Sequence, residues 1–136
     1  MDTTYSKQSK YEKALEYEIF TKGEYSFAKE EIQRAKCIFD IWWHKWLFSK
    51  RCRTLNPGTK IHYFEPVKKL YNHAKQTLWN DENIILNNFC ISSESWEWTI
   101  LFNQEKTMQS SKYPSFLNPN WIKVDVKFIT LKEYLQ

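Results

Sequence analysis

Glycine is nearly missing from this chain. Two occur in 136 residues, with four prolines. That scarcity excludes collagen-like, linker-rich and many-turned sandwich designs. Cysteine is sparse as well. Cys37, Cys52 and Cys90 are odd in number and widely spaced, so they do not form a disulfide framework and instead favour a reducing compartment. No long apolar run exists either. The longest apolar stretch, Ile38–Phe48, is interrupted by Asp40, His44 and Lys45, too short and too polar to span a bilayer. The first residues, MDTTYSKQSKYEK, are polar and lack the apolar centre of a secretion signal. The expectation is a cytoplasmic protein with no membrane partner.

Metal-binding and catalytic signatures are also lacking. His44, His62, His73, Cys37 and Cys52 include no CxxC, HxxxH or CxxH pair, the close spacing that zinc sites use. No metal or cofactor is expected. Cys52 lies between Arg51 and Arg53, cations able to lower a thiol pKa, although an incidental thiol at a helix end is the plainer reading.

Aromatic residues are abundant: 18% of the chain, with seven tryptophans. Each ring can bury roughly 150–250 Å², and 136 residues can enclose a core without staples. One domain, 1–136, is expected. Cations are concentrated too. Between Lys45 and Lys75 stand eight cations and one acid, Glu65, in a chain whose whole net charge is +4. The flanks are therefore slightly acidic.

Periodicity organises the chain. Ser9–Glu12 fits a capping box, Tyr11, Ala14, Leu15 and Ile19 fall at helical spacing, and Gly23 fits a C-cap. Ala28, Ile32, Ala35, Phe39, Trp42 and Trp46 step by 4, 3, 4, 3, 4, which predicts one amphipathic helix from about 27 to about 51. Asn56-Pro57-Gly58 stops it. Lys60–Phe64 reads as a short strand. Pro66 opens a third helix with Val67, Leu70, Tyr71, Ala74 and Leu78 on its apolar face. Asn80–Asn83 is the turn that follows, and Ile84–Ile91 is ambiguous between strand and helix. Trp96–Phe102 and Trp121–Ile129 alternate as strands. Thr130–Glu133 can cap a final helical turn. The expected class is α+β: three N-terminal helices (about 9–80), then a small, mostly antiparallel sheet (about 84–136).

Function leans on the cations and rings. Lys45, Lys50, Arg51, Arg53, Lys60, Lys68, Lys69 and Lys75 would contact phosphates, and Trp43, off the main apolar stripe, would stack on a base. The first expectation is thus a small non-enzymatic protein binding RNA, DNA or a nucleoprotein complex through residues 43–75. A solvated helix face with buried tryptophans has the same pattern. The alternative is a protein-binding inhibitor, immunity or assembly subunit, whose basic patch meets an acidic partner. Tyr113, Phe116 and Trp121, in or beside the polar stretch 103–120, would then be its anchors. A third reading takes Asp125 and Lys127, two apart on one strand face, with Glu97 on the neighbouring strand, as a metal-dependent nuclease site. The ordinary reading of those three is the polar face of an amphipathic strand.

Overall fold

Helices and strands interleave along the described part of the chain. The computed structural model describes residues 10–23, 26–41, 46–103, 110–111 and 121–136. Helix α1 (Lys10–Tyr17) runs into a π-type turn, Glu18–Lys22. Gly23 ends it with φ 72°, donating its N–H to the Glu18 carbonyl, a left-handed cap in which a Cβ would be strained. Ser9, the expected capping residue, lies outside the described residues.

The single helix expected from about 27 to about 51 does not form. A 3-10 turn (Ser26–Ala28) leads into a short α2 (Lys29–Arg34). Ala35 then turns extended, with ψ 131°, and Cys37–Ile41 becomes strand β1. Helix α3 (Leu47–Leu55) starts afresh. The cause is pairing. β1 lies parallel to β2 (Lys60–Phe64), with Ile38 opposite Ile61 and Asp40 opposite Tyr63. Ile38 joins Ile32, Cys52 and Ile61 in one apolar cluster. Phe39 packs instead against His62 and Phe64, at 4.8 and 5.5 Å between ring centroids. Neighbouring residues that pack in different directions follow the two-residue period of a strand. The helical spacing of Ala35, Phe39 and Trp42 is a local coincidence that tertiary pairing overrides.

After β2 come helix α4 (Lys68–Leu78) and strand β3 (Ile84–Asn87). β3 pairs in parallel with β2, so the first sheet has order β1-β2-β3 and is wholly parallel. Its strands are joined through α3 and α4, as parallel neighbours require. The second sheet comprises β4 (Cys90–Ser92), β5 (Trp96–Asn103), β6 (Ser110–Ser111) and β7 (Trp121–Thr130), in the order β4-β7-β5-β6. β5 is antiparallel to β7 and β6, while β4 runs parallel to β7. Helix α5 (Leu131–Tyr134) begins with the expected Thr130/Glu133 capping box. Three N-terminal helices followed by a mostly antiparallel sheet is therefore the wrong architecture, since helices alternate with strands and one sheet is parallel throughout.

Val67 and Leu70, at the start of α4, pack with Cys90, Ile100, Phe102, Val126 and Phe128 of the second sheet. Trp96 stacks on Phe128 at 4.1 Å. Tyr134 of α5 sets its ring against Phe39, His62, Phe64 and Phe89. Among the described residues, no helix is long and apolar enough to cross a membrane.

Candidate functional site

Parallel strands send their carboxyl ends to one edge, and the helices that follow begin there. In this chain both helix starts meet an acid from the preceding strand. Asp40 is the penultimate residue of β1 and is 1% exposed. Its Oδ2 accepts the Ser49 backbone N–H at 3.1 Å and the Ser49 hydroxyl at 2.5 Å. Ser49 is the third residue of α3, whose N-cap, Trp46, supplies no side-chain cap. Asp40 does that work from the strand, where the helix dipole favours a negative charge. Glu65, the first residue past β2, is also 1% exposed. Its Oε1 accepts the Val67 N–H at 2.7 Å, at the entrance to α4.

Two carboxyls drawn out of water on adjacent strands hold protons unusually well. Burial pushes Asp40 up to about 6 against the opposing pull of its two Ser49 hydrogen bonds. Burial pushes Glu65 up to about 8, opposed by the Val67 N–H and aided by the charge of Asp40. The Tyr63 phenol is raised by its burial and by both acids, with the Trp46 amide opposing. Among the described residues, Asp40 Oδ1 accepts no hydrogen bond, although it is buried. Such an acceptor is rare in a folded interior.

The segment between β1 and α3 reads Trp42-Trp43-His44-Lys45-Trp46 and contains no glycine. Trp42–Lys45 lie outside the described residues. Trp46 has φ 48°, a left-handed conformation that costs a bulky residue free energy. Its ring meets His73 of α4 edge-on at 4.5 Å.

The cations expected to form one phosphate-binding surface differ in their local settings. Trp43 and Lys45 lie outside the described residues. Lys50 pairs with Glu16 at 3.4 Å, and both Lys50 and Arg51 lie over the Phe20 ring at 5.8 Å. Arg53 is committed to the fold. Its guanidinium grips both Asp81 oxygens at 2.7 and 3.2 Å and donates to the carbonyls of Pro57 and Thr59 at 2.8 and 2.7 Å. Lys60 is exposed at the start of β2. Lys68, Lys69 and Lys75 are exposed on α4. Lys75 lines an open hollow of about 490 Å³ with Asn72, Gln76 and Trp79. Cys52, flanked by two arginines, is buried, and desolvation outweighs those cations, pushing its thiol up to about 12.

Glu97 faces Lys127 across the β5–β7 ladder, and Asp125 accepts a hydrogen bond from Thr99 at 2.7 Å. All four are exposed, in the register of a solvated strand face. Among the described residues, no group of three or more His, Cys, Asp or Glu is placed to hold a metal ion. Trp121 opens β7, half-buried and opposite Asn103. Tyr113 and Phe116 lie outside the described residues.

Three residues of interest escaped the sequence reading. Asp40 is a lone acid inside the apolar run CIFDI, and Glu65 follows the strand KIHYF just before Pro66. An acid in either place signals a buried carboxyl at a strand's end. Trp79 follows α4 and is 78% exposed; its helical register with Lys68, Asn72 and Lys75 was the available signal. Comparison with known proteins finds no matching family model, no matching curated protein and no matching solved structure.

Proposed function

We propose that the carboxyl edge of β1 and β2 binds a ribose-bearing nucleoside that carries no diphosphate. The observation that carries this reading is the position of Glu65. It stands one residue past the middle strand of a parallel β-α-β-α-β sheet, beside Asp40 on the neighbouring strand. Open parallel sheets take ligands at the carboxyl ends of their strands, and an acid at the end of the second strand accepts the ribose hydroxyls. Fold-level analogy and local chemistry together support the reading. Asp40 Oδ1, buried without a donor among the described residues, is a second acceptor for such a ligand.

The same edge departs from the dinucleotide-binding pattern in two ways. Among the described residues β1 is an edge strand, so strand order does not reverse beside it. The segment between β1 and α3 also lacks the glycines that let backbone approach a pyrophosphate. NAD, flavin dinucleotides and coenzyme A all carry a diphosphate, which a glycine-free segment is poorly suited to hold. S-adenosylmethionine, an adenosine joined through sulfur, carries none. Because Glu65 is 1% exposed, a ligand must displace what now covers it, and its affinity is reduced by that opening step.

Calorimetric titration of the full chain at pH 8.5 tests the reading, with S-adenosylmethionine, adenosine, 2′,3′-dideoxyadenosine and NAD⁺ as ligands. The first two are expected to bind, and NAD⁺ to bind no better than adenosine. The dideoxy compound should be about 10- to 100-fold weaker, the cost of hydrogen bonds to a charged group. Dideoxyadenosine binding as well as adenosine, or no ligand binding at millimolar concentration, would overturn it. The nucleic-acid reading of residues 43–75 concerns the basic surface rather than this edge, and stands or falls independently.

A further inference from the structure

We propose that the outer face of α4 is a docking strip for single-stranded nucleic acid, with Trp79 as its stacking platform. Lys68, Asn72, Lys75 and Trp79 are spaced 4, 3 and 4 residues apart, which aligns them along one side of a helix. All four are exposed, as is Gln76 beside them. Leu70 and Ala74, the buried residues of α4, lie on the opposite side.

The helix dipole favours Lys75, in the last turn of α4, but not the cations at its start. Lys68 and Lys69 stand in the first turn of α4, where the helix dipole disfavours cations, and the helix contains no acid. Trp79 leaves 78% of its surface in water beside Lys75, Asn72 and Gln76, and burying a ring that size would ordinarily stabilise a fold. Lys68 covers the Tyr71 ring, 4.9 Å from its centroid, so its long stem is already supported at the surface. Cations alternating with an exposed ring and two amides match a phosphate backbone whose bases are unpaired. The lysines take phosphates, the indole stacks on a base of any identity, and the amides reach base edges. A duplex hides its base faces from Trp79. An acidic protein seated here would bury the indole as well, so the comparison of single strands with polyglutamate separates the two occupants.

Fluorescence anisotropy of the full chain with labelled single strands of about 12 nucleotides, and with the matching duplex, at about 50 and about 200 mM salt tests this. Single strands are expected to bind more tightly than duplex. Trp79→Ala should weaken single-strand binding roughly 10-fold or more, and Trp79→Phe should retain most of it. Lys68→Glu with Lys75→Glu should flatten the salt dependence by roughly 0.7 log units of affinity per log unit of salt for each lysine–phosphate pair removed. Circular dichroism confirms that these surface variants are folded. No saturable binding at the lower salt, preference for duplex, or unchanged affinity of Trp79→Ala would each overturn the proposal. So would equal competition by polyglutamate of a binding that ignores Trp79.

Discussion

Glu65 ties the stability of this protein to pH in an uncommon direction. Its carboxyl is raised from 4.5 to about 8, so the folded chain holds a proton that the unfolded chain releases. That contribution is complete below pH 4.5 and is lost as pH rises to about 8. Asp40, raised from 3.8 to about 6, behaves alike over a lower window. At roughly 1.4 kcal/mol per pH unit, stability should fall by about 2–3 kcal/mol between pH 6 and 8. Urea denaturation at those two values checks it. Glu65→Gln keeps an acceptor for the Val67 N–H and cannot ionise. It should flatten this dependence and leave the chain more stable than the native one at pH 8.5, while losing adenosine binding. Ribose hydroxyls favour the ionised form, so adenosine affinity should rise up to about 10-fold per pH unit below 8 and level off above it. The thiols offer a second test at this scale. Cys37 is exposed, whereas Cys52 and Cys90 are buried and pushed up to about 12. A thiol reagent should label one cysteine in the native state and three in urea; rapid native labelling of Cys52 would contradict the structure.

Among the elements, the segment 27–51 shows how a good local signal misleads. A 4-3-4-3-4 spacing of apolar residues is compatible with a helix, but Cys37–Ile41 also carries the β-branched and aromatic residues that suit a strand, and β2 supplies its partner. Asp40 fits the strand better. In a helix it would sit beside the apolar stripe, whereas in β1 it reaches the N-terminus of α3. Arg53 was equally illegible. In sequence it is one more cation in a basic cluster, but its guanidinium fastens the end of α3 to the turns on either side of β2 and α4. Arg53→Ala removes a part-buried, multiply bonded ion pair and should cost about 2–4 kcal/mol in denaturant titration. Arg51→Ala, whose guanidinium lies over the Phe20 ring, should cost under about 1 kcal/mol. Equal losses would mean that the Arg53 network contributes nothing special. Helix α4, by contrast, was largely legible, although Val67 is extended and the helix opens at Lys68 rather than at Pro66; Val67 and Leu70 enter the core of the second sheet, and Ala74 is buried on the same face.

For the whole molecule, composition and pattern determined a great deal. The helical ends at Gly23 and Thr130, the strands at 60–64, 96–102 and 121–129, each of the last two one residue longer in the structure, and the apolar face of α4 all follow from short-range rules of capping, alternation and helical period. These act over a few residues and are written in consecutive letters. Tertiary structure alone decided which strand lies beside which. Parallel pairing of β1, β2 and β3 joins residues more than twenty positions apart, and nothing local encodes that partner choice. The same long-range pairing buried Asp40 and Glu65 at one edge, turned Arg53 from a surface cation into a tether, and left Trp79 outside the core. Cations and rings can be counted from the sequence. Whether each faces a core, a partner residue or water depends on packing that forms only after the chain has closed on itself.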